Sequence, residues 1–168
     1  VYYLWRTDRR DLVLLAVTFL STLTFGIQQG IAIGVVLSLA MVVYRSTRPH
    51  IAVLGRIPGT KQFRNVERFP EVEIPDGILI VRIDAQLFFA NTSYLRDRLH
   101  ALILARQDQV ELIVINPNAI NGIDSSAIHA LESLIDEYRS QGIDLYVTSV
   151  IGPVRDILHK SGLMGKIG

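Results

Sequence analysis

The sequence predicts two structural parts, an apolar helical hairpin within residues 1–48 and an α/β domain within residues 49–168. The 33 residues from Leu12 to Tyr44 contain no Asp, Glu, Lys or Arg, and this run is longer than the 18 or so apolar residues that indicate a membrane span. After residue 48, short apolar runs of strand type alternate with amphipathic runs of helical spacing. That alternation is typical of a mixed sheet with helices packed on it.

The apolar run is too long for one membrane helix. A straight helix of this length would measure about 50 Å, against a hydrocarbon core of about 30 Å. The adjacent amides of Gln28 and Gln29, with Gly26 before them and Gly30 after them, indicate a turn between two helices of about 14 to 16 residues each. An alternative remains open, because Gly26, Gly30 and Gly34 also have the spacing of a helix-packing face in one continuous helix.

Basic residues flank the apolar run at both ends. Arg6, Arg9 and Arg10 precede it, and Arg45 and Arg48 follow it. The positive-inside rule then places both helix ends on the cytoplasmic side of a membrane. Short helices that contain several Ser and Thr residues are better explained as part of a larger helical bundle than as a free anchor. We therefore expect the tail of a larger integral membrane protein, with residues 49–168 in the cytoplasm.

The first half of the second part predicts strands around a polar loop, followed by a helix. The predicted elements are a strand at residues 51–57, a polar loop at 60–77, strands at 78–83 and 87–89, and a helix at about 93–106. Pro58 and Gly59 end the first strand. Asn91, Thr92 and Ser93 supply capping side chains for the helix.

The second half predicts two more strands, each followed by a helix. The predicted elements are a strand at residues 111–115, a helix that begins at residues 124–126 and ends near 142, a strand at 144–150, and a short helix that ends at 162. Gly142 is a natural end for the longer helix because glycine adopts the left-handed conformation there. Pro153 fits the first turn of the last helix.

No arrangement of residues indicates catalysis. The histidines at positions 50, 100, 129 and 159 never have the i, i+4 spacing of a helical zinc site, and the chain has no cysteine. Ser126 and His129 share a helix with Asp124 nearby, but no nucleophile elbow presents this serine as in a hydrolase. The 17 basic and 16 acidic residues nearly cancel, which argues against a nucleic acid partner. We predict no enzyme, no metal and no cofactor.

Residues 116–127 carry the candidate functional site. A strand, a tight loop and a helix start would bring backbone N–H groups and the hydroxyls of Ser125 and Ser126 to one edge of the sheet, beside Asp124. Such an edge suits an anion or a regulatory phosphorylation. The alternative is structural, since Asp and Ser are good N-caps that satisfy the first donors of a helix.

Four motifs, in order along the chain, resemble one family. They are Arg45-Ser46-Thr47-Arg48-Pro49, Leu54-Gly55-Arg56-Ile57-Pro58-Gly59-Thr60, Phe88-Phe89-Ala90-Asn91 and Ile123-Asp124-Ser125-Ser126-Ala127. Together they are similar to the C-terminal end of sulfate permease (SulP) family anion transporters, with the last two membrane helices and the STAS domain. Bacterial anti-sigma factor antagonists share the STAS domain, and their phosphorylated serine matches Ser126. Ala127 stands where their motif has Gly, and Asn116 stands where an Asp commonly ends the preceding strand.

The resemblance implies the C-terminal portion of a secondary-active transporter of sulfate, bicarbonate or a related inorganic anion, with a STAS domain that regulates, folds or dimerises the membrane part. It implies a homodimer, an anion site on upstream helices outside this chain, and a bacterial-type plasma membrane. An alternative function keeps the fold as a membrane-tethered docking or nucleotide-sensing module for a cytoplasmic regulatory protein. A membrane-anchored enzyme would need a convergent polar pocket, which this sequence does not predict.

Overall fold

The computed structural model of the protein describes residues 9–148 and 150–167. The chain divides into two compact units between Ser46 and Thr47. This division lies next to the boundary expected from the sequence at residue 48. The assignment of residues 1–48 to a membrane helix pair and of residues 49–168 to a cytoplasmic domain stays a prediction.

The first unit is a hairpin of two helices, α1 (Arg9–Phe25) and α2 (Ile27–Thr47). Gly26 between them has a φ of 90°, in the left-handed region that glycine adopts without strain. The predicted hairpin is confirmed, and the alternative of one continuous helix is wrong. The helices have 17 and 21 residues. They are longer than predicted because the charged residues at both ends of the apolar run continue the helices instead of ending them.

The other two glycines of the repeat lie where the two helices pack together. A Cβ on Gly30 would lie 2.6 Å from the Cα of Thr22, and a Cβ on Gly34 would lie 2.9 Å from Cγ2 of Thr18. Real Cβ atoms essentially never approach so closely, so α1 and α2 can pack this tightly only because both positions lack a side chain. The small-residue spacing therefore serves a helix pair, and Gly26 serves the turn.

Most large apolar side chains of the hairpin point outward. Phe19, Leu23 and Ile27 have exposed fractions of 60, 68 and 70%, and Gly30 is the only buried residue in the described part of this unit. Within the described residues, one helix, Ile27–Thr47, is long and apolar enough to cross a membrane by length and composition. Apolar surface of this extent is unfavourable in water.

The second unit is built on a five-stranded mixed sheet. The strands are β1 (Ile51–Arg56), β2 (Phe63–Asn65), β3 (Ile78–Ile83), β4 (Leu112–Asn116) and β5 (Asp144–Val147). They lie in the order β2-β1-β3-β4-β5. The last three strands are parallel, and β1 is antiparallel to both of its neighbours. The predicted mixed sheet is confirmed.

Helices cover one face of this sheet. They are α3 (Thr92–Leu104), α4 (Ser125–Ser140) and α5 (Gly152–Lys160), followed by a short 3₁₀ helix (Leu163–Gly165). Val81 and Ile113 are fully buried against helical residues such as Leu99, in one continuous core. Their neighbours Ile80 and Val114 point to the opposite face and stay half-buried, because successive side chains of a strand alternate between faces.

Three element predictions differ from the structure. Strand β2 lies inside the predicted loop 60–77, because its pairing with β1 compensates for a short and polar sequence. Residues 87–89 form only one isolated bridge, between Leu87 and Ile123, because the N–H of Phe88 donates to the Asn91 side chain at 3.1 Å instead of a strand. Strand β5 ends at Val147, short of the predicted residue 150; position 149 lies outside the described residues.

Candidate functional site

The predicted site, residues 116–127, lies beyond the carboxyl end of β4, and the structure brings it against residues 84–91, which follow β3. We call residues 84–91 and 117–126 together the loop rim. The N–H of Leu87 donates to the carbonyl of Gly122 at 3.0 Å, and the N–H of Asp124 donates to the carbonyl of Leu87 at 3.2 Å. These two hydrogen bonds flank the β-bridge between Leu87 and Ile123. They hold both segments together at the start of α4.

Asp124 ties the loop rim to the first turn of α4. It is the N-cap residue, and its Oδ1 accepts a hydrogen bond from the N–H of Ala127 at 2.7 Å. Its Oδ2 accepts another from the N–H of Phe89 at 2.9 Å. The carboxylate therefore satisfies one helical donor and one loop donor at once. The capping alternative is observed at Asp124, and a regulatory role of this residue stays a prediction.

Asn91 is the polar residue that holds the other half of the loop rim. It is fully buried, its Nδ2 donates to the carbonyl of Gln86 at 2.9 Å, and its Oδ1 accepts from the N–H of Phe88. Asn91 occupies the N-cap position of α3 but makes no side-chain capping bond there. Its predicted side-chain capping role is wrong, because the amide bonds to the backbone of Gln86 and Phe88 instead of the first turn of α3. The motif Phe88-Phe89-Ala90-Asn91 contained this signal, since a buried amide can shape a loop.

Ser125 and Ser126 are both exposed on the first turn of α4. Neither hydroxyl has a hydrogen-bond partner among the residues that the structure describes. Ala127 beside them is fully buried, so the backbone is fixed while the hydroxyls remain accessible. Phe89, whose N–H binds Asp124, has an exposed fraction of 71%. The loop rim thus combines two free hydroxyls with one exposed aromatic ring.

Two nearby charges would have opposite effects on a phosphate group at Ser126. The N-terminus of α4 carries partial positive charge that would favour a phosphate on Ser126, whereas the carboxylate of Asp124 would oppose it. The imidazole of His129 is largely exposed, and its Nδ1 lies 3.8 Å from Glu132 Oε2. Within the described residues, no hydrogen bond joins Ser126 to His129. A serine nucleophile with a histidine base is therefore not assembled here.

A second polar cluster, which the sequence did not indicate, lies at the junction of β1 and β3. His50 Nδ1 is 2.8 Å from Asp84 Oδ2, and Arg82 Nη2 donates to the same oxygen at 2.9 Å. The hydrogen bond from Arg82, more than that from His50, lowers the pKa of Asp84. The same bond raises the pKa of Arg82. Antiparallel pairing brings His50 and Asp84 together across 34 positions, which no local motif could indicate.

Metal-binding side chains do not gather anywhere in the described part of the chain: no group of three or more His, Asp or Glu residues there could hold an ion. The ion pairs of the second unit are instead distributed along its surface. Lys166, near the C-terminus, is an example, since its Nζ lies 2.9 Å from Glu132 and 3.2 Å from Asp136 on α4. These two carboxylates raise the pKa of Lys166.

The mixed sheet, the helices on one of its faces and the Asp-Ser-Ser turn at α4 define a STAS domain. The STAS domain family matches residues 69–167, and the chain belongs to this family. The predicted resemblance to sulfate permease transporters is confirmed as well. The chain is 41% identical, over 99% of its length, to "Probable sulfate transporter 4.2" of Arabidopsis thaliana. It is 39% identical, also over 99% of its length, to "Sulfate transporter 4.1, chloroplastic" of the same plant.

The chain corresponds to a C-terminal portion of these relatives. It covers 26% of the length of each of the two sulfate transporters and lies at their C-terminal end. A solved structure of the murine Solute Carrier 26 family member A9 anion transporter, in the inward-facing state, matches 95% of this chain and 26% of that one. The TM-score is 0.80 and the identity 23%. The fold of the hairpin followed by the STAS domain is thus that of known anion transporters.

Proposed function

We propose that the chain is the C-terminal portion of a secondary-active inorganic anion transporter, with sulfate as its first candidate substrate and bicarbonate as the second. One observation carries this proposal. The hairpin and the STAS domain follow each other in one chain, and similarity to sulfate transporters extends over 99% of that chain, including the hairpin. A STAS domain alone would not argue for transport, but a match confined to that domain would begin only after residue 48 and would leave out the hairpin. The proposal assigns no catalytic reaction to the chain.

The hairpin is proposed to be the last pair of membrane helices. Its outward apolar surface supports this role, because lipid or neighbouring helices would cover side chains such as Leu23 and Ile27. The ion pair between Arg45 and Asp11, with Nη2 and Oδ1 3.2 Å apart, lies at the helix ends, where polar headgroups can solvate it. The basic flanks support a cytoplasmic position for these ends. The anion itself would bind to upstream helices that are not in this chain.

The STAS domain is proposed to regulate, fold or dimerise the membrane part of a homodimer, with the loop rim as its regulatory surface. The exposed hydroxyls of Ser125 and Ser126 support modification at this surface. The exposed ring of Phe89 supports the second candidate function, docking of a cytoplasmic protein or nucleotide, because an aromatic ring beside polar groups is typical of binding hot spots.

Uptake of labelled sulfate and bicarbonate into proteoliposomes tests the proposed function. The full-length parent protein is compared with a version that lacks residues 49–168 and with protein-free liposomes. We expect saturable sulfate uptake by the parent, and reduced uptake by the truncated protein. A folded parent that transports no anion of a panel would contradict transport and favour the docking function.

Charge substitution tests the regulatory part of the proposal. Ser126→Glu in the full-length parent is compared with Ser133→Glu, which adds the same charge on an exposed position of the same helix. We expect Ser126→Glu to change the uptake rate by about twofold or more, since phosphate-like charge at a switch acts through local contacts. Equal effects of both variants would argue against a special role of the loop rim.

A further inference from the structure

The two helices of the hairpin form a groove near the ends that carry the arginines. This groove, which we call the hairpin groove, has a volume of about 590 Å³. Arg9, Arg10 and Tyr44 line it where α1 begins and α2 approaches its C-terminus. Its walls are apolar side chains, three from each helix: Val13, Leu14 and Val17, and Leu37, Ala40 and Met41. The volume falls within the range of about 300 to 1,000 Å³ that is typical of small-molecule sites.

The hairpin groove has nearly the depth of one membrane leaflet. Along α1 it extends from Arg9 to Val17, about 12 Å at 1.5 Å per residue, and along α2 from Leu37 to Tyr44, about 10 Å. Half of a hydrocarbon core of about 30 Å is about 15 Å. The ring of Tyr44 is 45% exposed beside the arginines, as is typical of aromatic side chains at a membrane–water interface. The groove therefore suits one acyl chain of the leaflet whose headgroups face the helix ends.

The charge at the arginine end of the groove has one sign. Among the described residues, the charged side chains that line it are those of Arg9 and Arg10. Asp11 does not line it, and its Oδ1 lies 3.2 Å from Nη2 of Arg45. Residues 1–46 contain four arginines, two aspartates and no Lys or Glu, so positive charge exceeds negative charge by two whichever ion pairs form. This excess selects an anionic group for this end of the groove.

A second groove on the hairpin has a different chemistry. Its lining includes Thr18, Gly34 and Ser38 and, among the described residues, no charged side chain. Hydroxyls and glycine are typical of contacts between membrane helices, so a neighbouring helix suits this second groove. The described lining of the hairpin groove contains no Ser, Thr or Gly, and a helix packed over it would remove Arg9 and Arg10 from water at a high cost. The difference favours lipid in the hairpin groove.

We propose that the hairpin groove binds an anionic glycerophospholipid of the cytoplasmic leaflet, with one acyl chain along Val17 and Ala40 and its phosphate at Arg9 and Arg10. Guanidinium groups make bidentate, charge-assisted hydrogen bonds to phosphate oxygens. The acyl chain has apolar surroundings in the groove and in the bilayer alike, so the headgroup decides which lipid is preferred. A zwitterionic lipid has no net charge to balance the excess of arginines. This inference rests on the proposed position of the hairpin as a pair of membrane helices.

Photo-crosslinking of lipids to the full-length parent protein in phosphatidylcholine proteoliposomes tests the proposal. The two probes are a phosphatidylglycerol and a phosphatidylcholine that carry the same photoreactive acyl chain, and mass spectrometry maps the labelled residues. We expect phosphatidylglycerol to label Val13 and Met41 about tenfold more than phosphatidylcholine does. Phe19 and Leu39, which line the second groove, should show no such preference. Unlabelled phosphatidylglycerol should compete for the site, whereas inorganic phosphate, which has no acyl chain, should not.

Two double variants test the role of the arginines in the groove. Arg9→Gln with Arg10→Gln should bring the labelling ratio of phosphatidylglycerol to phosphatidylcholine to within about twofold of unity. Arg45→Gln with Arg48→Gln removes the same charge near the helix ends, but neither residue lines the groove. This control should keep at least about half of the preference, since contact with the headgroup depends on position.

Two single variants test the role of the apolar walls. Ala40→Phe should fill the groove and reduce labelling by phosphatidylglycerol at Val13 and Met41. Ala16→Phe adds the same side chain at an exposed position of α1 outside the groove and should leave this labelling unchanged. Circular dichroism would show that both variants keep their helices.

Several outcomes would overturn the proposal. Equal labelling of the groove by both probes would remove the role of the headgroup. Equal losses in the two double variants would mean that the arginines attract anionic lipid without a defined site. A groove left unlabelled while other segments of the parent are labelled would show that an upstream helix covers it instead. Sulfate uptake by the same proteoliposomes separates these results from a failure of the proposed function, because a parent that still transports would leave that function standing.

Discussion

The two units of the chain place the same kind of side chain in opposite environments. In the hairpin, Phe19 and Leu23 are 60 and 68% exposed, whereas Leu99 and Ile113 of the STAS domain are fully buried. Composition alone does not separate these cases, since both units are rich in Leu, Ile and Val. The difference shows that the STAS domain carries its own apolar core, whereas the apolar surface of the hairpin is exposed and, as proposed above, would be covered by lipid or other helices.

A substitution in the core should have the largest effect. Leu99→Ala removes a fully buried side chain and should lower the free energy of unfolding of the STAS domain by about 2 to 5 kcal/mol. Leu39→Ala, at a 61% exposed position on α2, is the matched control and should leave that free energy unchanged. Urea unfolding of the full chain in nanodiscs, followed by circular dichroism, measures both. Equal effects would contradict the contrast between the two units.

The hairpin should be sensitive to added volume where its helices meet. Gly30→Ala places a Cβ against Thr22 and should destabilise the pairing of α1 and α2 by about 1 to 3 kcal/mol, the usual range for overpacking. Gly152→Ala, where a Cβ would meet no atom within 4 Å, is the control. Distances between spin labels on the two helices would report the separation. An unchanged distance distribution in Gly30→Ala would show that the close approach does not matter.

The loop rim should contribute less than the core. Asp124→Ala removes the cap of α4 and the acceptor for the N–H of Phe89, so the STAS domain should lose about 1 kcal/mol, within the 0.5 to 2 of N-caps. Ser125→Ala, at an exposed neighbouring position, should stay within about 0.5 kcal/mol. Thermal unfolding compares the two variants. A cost for Asp124→Ala no larger than for Ser125→Ala would mean that the cap is not structural.

The smallest expected effect is on how the stability of the STAS domain changes at low pH. The hydrogen bond from Arg82 lowers the pKa of Asp84, so its contribution to stability is present above the unfolded value of about 3.9 and is lost as the pH falls through the folded pKa. Asp108 follows the same rule, because Arg106 and the N–H of Gly77 lower its pKa. The unfolding midpoint should therefore fall less steeply below about pH 4 in Asp84→Asn than in the wild type. Parallel pH curves would contradict this.

The sequence predicts the fold well where the pattern is local. The uncharged run and Gly26 indicate the hairpin, and the alternation of strand and helix patterns indicates the mixed sheet. The sequence predicts the fold less well where an element forms through pairing between residues that are far apart in the chain. Strand β2 forms through its contact with β1, and the cluster of His50, Arg82 and Asp84 exists because two antiparallel strands meet.

At the candidate site, too, the sequence indicates local structure but not the contacts between distant segments. The Asp-Ser-Ser pattern correctly indicates the start of α4, and the structure adds the contact from Asp124 to Phe89. That contact joins two segments 35 positions apart, which no pattern within one segment contains. The uncovered face of the sheet, which carries Ile80 and Val114, was missed for a related reason. Sequence alternation shows that a strand has two faces, but only the assembled fold shows that helices cover one of them.

Sidedness tests most directly our proposal that the hairpin spans a membrane and that the STAS domain lies in the cytoplasm. The chain has no cysteine, so single cysteines at the hairpin turn, Gln28→Cys, and on exposed α5, Asp156→Cys, can report sidedness in a parent background without other cysteines. We expect an impermeant maleimide to label position 28 only from outside the cell and position 156 only in inverted vesicles. Labelling of both positions from the same side would contradict the account.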